Sequence, residues 1–204
     1  GAWDAQDVAK AVYAGLLDQR FADTLDQPIP RGEAFLLFAR AFQLMPTQPD
    51  LSVLDQFPDT KYLTGDTAEA AAALVEAGLV TGSEGELQMD RPLTRAEFVT
   101  MAMAFSTLEY GESPFSDVED TSWAAPYIYT AHKLGWVNGM GEGEFSHNYP
   151  VNRAQAVTMI NRVLCRLPED TDDLLSGMNT WTDCHEDDWF YLAIQEATNS
   201  HDFV

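Results

Sequence analysis

An all-α domain built from repeats of one helical unit is what this sequence predicts, and three observations carry the expectation. A Pro-apolar-x-Arg string occurs three times. Each copy runs into an apolar-rich stretch of helical length, and a second string, aromatic-x-Asp, recurs between the copies. Self-similarity on this scale marks a repeat architecture in which neighbouring units complete one another's core.

The first string reads Pro28-Ile29-Pro30-Arg31-Gly32-Glu33, then Pro92-Leu93-Thr94-Arg95-Ala96-Glu97, then Pro150-Val151-Asn152-Arg153-Ala154-Gln155, with the arginines 64 and then 58 residues apart. The stretches that follow run from Ala34 to Phe42, Phe98 to Phe105 and Ala156 to Leu164. Thr94 with Glu97, and Asn152 with Gln155, have the pattern of a capping box, in which the cap side chain and the third helical residue satisfy each other's backbone amides. Pro30 with Glu33 lacks both the side-chain oxygen and the amide, so the first of these helices is expected to start about 1 kcal/mol less well capped.

The aromatic-x-Asp string reads Phe57-Pro58-Asp59, Phe115-Ser116-Asp117 and Trp181-Thr182-Asp183. A helix is expected after each, opening near Trp123 and Trp189 in two copies and near Trp3 at the head of the chain, where the lead-in string is missing. The second copy has Asp66 at the tryptophan position. Gly78 and Gly135 mark helix ends. Glycine-rich loops follow at Gly82-Ser83-Glu84-Gly85 and Gly139-Met140-Gly141-Glu142-Gly143, whereas the head has Leu17-Asp18-Gln19-Arg20 there. Helices this short are marginal alone and must pack on one another.

The units divide as about 1–45, about 55–108 and about 113–166, within a single domain of 1–204. The tail, 179–204, repeats the first half of a unit and is read as supplying the half missing from the head, so that three units close a ring; a truncated fourth unit is the other reading. The first residues do not resemble a secretory leader, and Gly1 is compatible with a leader removed by processing.

Thirty-three acidic residues against eleven basic ones give a net charge of −22. Such a surface repels nucleic acid and anionic membranes, so neither is expected as a partner, and no apolar run reaches membrane-spanning length. Cys165 and Cys184 are too few and too far apart for a disulfide framework or a CxxC motif, leaving either one bridge or two thiols. The acidic runs around Glu142, Glu169 and Glu186 lack the EF-hand pattern, the four histidines lack metal spacing, and no hydrolase or phosphate-loop motif is present. No metal, cofactor or catalytic activity is expected.

Three of eight arginines occupy the first helical position, where the partial positive charge of the helix normally favours acids. A cation beside free helix amides would seat an anion; the alternative is an internal ion pair, for example with Asp117. Trp3, Trp123 and Trp189 could stack on sugar rings through their apolar faces, or pack in the core where their helices begin, the better reading for at least one of them.

The motif set resembles the S-layer homology family. Phe115 to Leu164 carries Phe-Ser-Asp-Val, Trp-Ala, Gly-Trp-Val-Asn-Gly and Asn-Arg-Ala-Gln; the second unit carries Gly-Leu-Val-Thr-Gly and Thr-Arg-Ala-Glu. The resemblance implies a pseudo-threefold domain with a central helical bundle and helix-loop-helix prongs. It implies an extracellular, non-catalytic module that anchors a bacterial protein to cell-wall polysaccharide, with anionic sugar groups in grooves between repeats. The groove residues it implies are Arg31, Arg95, Arg153, Asp59, Asp117, Asp183, Trp3, Trp123, Trp189, Gly82 and Gly139. A structural or protein-interaction domain that keeps the fold but has lost polysaccharide binding is the competing expectation, supported by the acidity and by the departures in the first two units.

Overall fold

The computed structural model describes residues 24–166, 168, 170–174 and 181–198. Trp3 and the rest of the predicted first half-unit at the head lie outside the described residues. Within them are α1 (Arg31–Ala41), α2 (Gly65–Glu76), α3 (Arg95–Ala102), α4 (Ala125–Lys133), α5 (Arg153–Val163) and α6 (Tyr191–Thr198). Strand-type pairing among the described residues is confined to isolated bridges. The fold is all-α, as the repeats predict.

Helices α1, α3 and α5 follow the three arginine strings. Thr94 accepts from the Glu97 amide while the Glu97 carboxylate accepts from the Thr94 amide. Asn152 and Gln155 exchange the same pair of bonds. Helix α1 starts at Pro30 with no side-chain cap.

The strings themselves close a hydrogen-bonded ring. The Ile29 amide donates to the Val151 carbonyl at 2.9 Å, Val151 donates to Leu93 at 2.9 Å, and Leu93 donates to Ile29 at 3.0 Å. All three side chains are buried. Pro30 occupies the place of Thr94 and Asn152, whose amides serve only their own capping boxes. Proline therefore costs the ring no bond there, although it has no amide hydrogen.

The next two amides of each helix are also taken. Arg31 and Gly32 donate to the carbonyls of Arg91 and Met89; Arg95 and Ala96 donate to Tyr149 and His147; Arg153 and Ala154 donate to Gln27 and Leu25. This corrects the expectation of free helix amides beside the arginines. The first-turn donors that a helix leaves orphaned are consumed in joining one string to the segment before another.

Around the ring the outer helices pack pairwise on the inner ones, α2 on α1, α4 on α3 and α6 on α5. Helix α2 presents buried Ala68, Ala71 and Ala72, small side chains that allow close approach. Phe38 of α1 and Phe98 of α3 meet at 4.8 Å between ring centroids, joining two inner helices. The segment after α1 forms a short 3-10 turn, Leu51–Gln56, that buries Leu54 against the core and packs on α2. At the tail, Asn161 of α5 donates to the Ala193 carbonyl at 2.8 Å, and buried Arg166 pairs with buried Glu196 at 2.7 Å, fastening α6. Cys165 and Cys184 are separate thiols; burial, with Asp188 and Asp183 nearby, pushes the Cys184 thiol up to about 12.

Candidate functional site: three arginine stations and one open groove

The aspartates and arginines of the two strings grip the same short turns from opposite sides. Asp59 accepts from the Leu87 and Gln88 amides at 3.1 and 2.7 Å, while Arg31 Nε donates to the Leu87 carbonyl at 2.9 Å. Asp117 accepts from Phe145 and Ser146 at 2.7 and 2.8 Å, while Arg95 Nε donates to the Phe145 carbonyl at 2.9 Å. Asp183, from the tail, accepts from the Leu25 amide at 2.9 Å, while Arg153 Nη1 reaches the Thr24 carbonyl at 3.3 Å. Burial pushes the Asp117 carboxyl up, but the Phe145 and Ser146 amides and His147 outweigh it and hold it below the usual carboxylate range. The expected Arg–Asp117 ion pair is therefore corrected: these carboxylates are spent on backbone amides.

Two of the arginines find their counter-charge elsewhere, at the third helical position of a neighbouring string. Arg31 Nη1 lies 3.3 Å from Glu97, which also pairs with Arg91. Arg153 takes Glu33 in a bidentate pair, Nε to Oε2 and Nη2 to Oε1, both at 2.9 Å. Because Pro30 has no amide to cap, both Glu33 oxygens are available for this pair. The residue that stands to Arg95 as Glu97 stands to Arg31 is Gln155, which is neutral. Arg95 instead donates to two carbonyls, Phe145 and Asn138, and packs over the Phe145 ring at 4.4 Å. Burial pushes its guanidinium down to about 10, partly offset by Asp117, and it remains cationic at neutral pH.

Arg95 lines a groove of about 460 Å³ together with Asn138, Gly139, Gln155, Arg162 and Trp189. Among the described residues, Arg95 and Arg162 are the two arginines with no carboxylate partner, and both face this one groove. At the corresponding place on α1, nine residues after Arg31 as Arg162 is nine after Arg153, Arg40 is paired with Asp66 at 2.7 Å. The acid in the second copy's tryptophan position thus neutralises a cation that the Trp189 position leaves free.

The predicted site residues distribute unevenly over this geometry. Arg95, Gly139 and Trp189 meet in the groove. Arg31 and Arg153 sit at their own neutralised stations, and Asp59, Asp117 and Asp183 brace turns. Trp123 and Trp189 are 62% and 64% exposed, so neither packs in the core where its helix begins, and Trp3, the third tryptophan of that expectation, lies outside the described residues. Gly82 and Gly139 have a packing reason: a Cβ on Gly82 would come within 2.7 Å of the Glu86 carbonyl oxygen and 2.9 Å of Phe57, and one on Gly139 within 2.7 Å of the Glu144 carbonyl oxygen. Such contacts require the backbone to shift. Sequence reasoning missed Asn138, Gln155 and Arg162 as groove residues, and the Glu-to-Gln difference among the three strings was the signal that pointed to the second. No described helix is long and apolar enough to cross a membrane.

Residues 57–99 and 114–157 match the S-layer homology domain. The chain is similar to that family over these two segments. Its relatives include the cellulosome-anchoring protein of Acetivibrio thermocellus, 29% identical over 86% of this chain and 39% of that protein. Cell surface glycoprotein 1 of the same organism is 27% identical over 88% of this chain and 8% of its own length. The middle cell wall protein of Brevibacillus brevis is 33% identical over 50% of this chain and 10% of its own. The chain thus spans less than half the length of these relatives, which by name are an anchoring protein, a cell-surface protein and a cell-wall protein.

Proposed function

We propose that this chain is a non-catalytic module that attaches an extracellular bacterial protein to cell-wall polysaccharide, holding an acidic sugar substituent in the Arg95 groove. One observation carries the reading: in a chain of net charge −22, the two described arginines without a carboxylate partner converge on one groove beside an exposed tryptophan. Charge-assisted bonds from arginine suit a carboxylate or phosphate, and the indole face suits the C–H surface of a sugar ring. The family match and the names of the relatives support a wall ligand. We also read the tail 179–204 as completing the unit begun at the head, to make a third repeat; the Asp183–Leu25 bond, parallel to Asp59–Leu87 and Asp117–Phe145, supports it.

Co-sedimentation with purified cell-wall sacculi tests the proposal. The wild-type chain is expected to pellet with sacculi, and Arg95→Ala to bind about tenfold or more weaker, as befits loss of one charge-assisted hydrogen bond. Wild-type protein that stays in the supernatant, or an Arg95→Ala variant that pellets equally, would sink it.

A further inference from the structure

The three arginine stations share a backbone arrangement, so what separates them lies in their side chains. Each arginine is at the first position of its helix and faces the third helical residue of a neighbouring string: Glu97 for Arg31 and Glu33 for Arg153, both in ion pairs. The third station has Gln155 on the groove wall with Arg95. Its side-chain carbonyl keeps the capping duty, accepting from the Asn152 amide. Its Nε2 donates to the Met140 sulfur at 3.3 Å, and a thioether is a weak acceptor. Gln155 therefore presents a loosely held N–H donor where the other two stations present a negative charge.

We propose that Gln155 is the specificity-determining residue of this chain: by replacing the carboxylate that occupies the other two arginines, it leaves Arg95 as the single open anion seat, and Glu33 and Glu97 act as built-in competitors that close the Arg153 and Arg31 stations. The proposal rests on the reading of the Arg95 groove as the ligand seat. Arg95 is 4% exposed and makes no ion pair, Asp117 acting on it only at longer range, and it lines the groove alongside Arg162, which likewise has no carboxylate partner. An entering carboxylate or phosphate would meet Arg95 and the Gln155 amide without displacing an acid. At the Arg153 station the same ligand would have to break a bidentate pair, which already satisfies the fork geometry of the guanidinium.

The test uses inorganic phosphate and acetate, titrated separately into the isotope-labelled full chain, with the arginine Nε–H signals followed by NMR. In the wild type the Arg95 signal is expected to move while those of Arg31 and Arg153 stay. Gln155→Glu should weaken the Arg95 response at least tenfold with its circular dichroism unchanged. Glu33→Gln, which leaves every capping box intact, should make the Arg153 signal respond. A wild-type Arg95 signal that stays still, parallel movement of all three arginines, or a Gln155→Glu variant that responds like the wild type overturns the proposal. Sedimentation with sacculi separates this from the wall-binding reading. A wild type that responds at Arg95 but ignores sacculi sinks that reading alone, whereas one that pellets as well with Gln155→Glu as without it sinks this proposal alone.

Discussion

The Arg153 station and the Arg95 station are two versions of one construction. In both, an arginine at the first helical position faces the third helical residue of a neighbouring string and donates to a carbonyl of the turn before a ring string. At Arg153 the counter-charge is internal and bidentate. At Arg95 no carboxylate is in contact, and the guanidinium is held by carbonyl oxygens and an aromatic face. On the reading proposed above, a repeated motif serves stability in one copy and recognition in another. The backbone is common to both, and what differs is whether a neighbouring carboxylate pairs with the arginine.

The stability side of the comparison should show the largest effect. Arg153→Ala strands the half-buried Glu33 carboxylate and is expected to cost about 3 kcal/mol, in line with breaking a largely buried pair. Arg95→Ala leaves no charge behind and removes two bonds to carbonyls, for about 1–2 kcal/mol. Urea unfolding of both variants measures this, and an Arg95→Ala loss equal to or above that of Arg153→Ala would break the contrast. Next comes Trp189→Ala against Trp123→Ala. Both side chains are exposed, so neither should change stability much. The first is expected to weaken sacculus binding several-fold, since an aromatic contact contributes about 0.5–1.5 kcal/mol, and the second to leave it unchanged, because only Trp189 lines the groove.

The smallest effect concerns acid. Burial pushes the Asp117 and Glu97 carboxyls up, but hydrogen bonds outweigh it in both, with the arginine charges adding to this at Glu97, so both are held below their ordinary range. Their contribution to stability is present above the unfolded carboxylate pKa and is lost as pH falls through the depressed folded value. Asp117→Asn should therefore unfold less steeply between neutral pH and strong acid than the wild type, while being less stable at neutral pH. A chemical-denaturation series over that range checks the sign.

Much of this was legible in the residues. Capping boxes at Thr94 and Asn152 are local, made by side chains three positions apart, and local physics predicts them. The three inner helices and the aromatic-x-Asp turns follow from patterns of the same short range. The expectation of free helix amides failed for a long-range reason: the donors of Arg31, Arg95 and Arg153 are met by carbonyls from segments 54 to 126 residues away in the chain. The expected Asp117 ion pair failed for a similar reason, since the aspartate is closer to the Phe145 and Ser146 amides than any spacing argument could show.

By itself the sequence determined the helices, their caps, the recurrence of the strings and the surplus of acid, because each depends on neighbouring residues or on simple composition. The tertiary structure alone decided which arginine is neutralised by which acid, because that pairing runs between strings and exists only once the ring of Ile29, Leu93 and Val151 is closed. The letter that separates Gln155 from Glu97 and Glu33 stands in the sequence. Its consequence belongs to the fold, which sets that position opposite an arginine from another repeat.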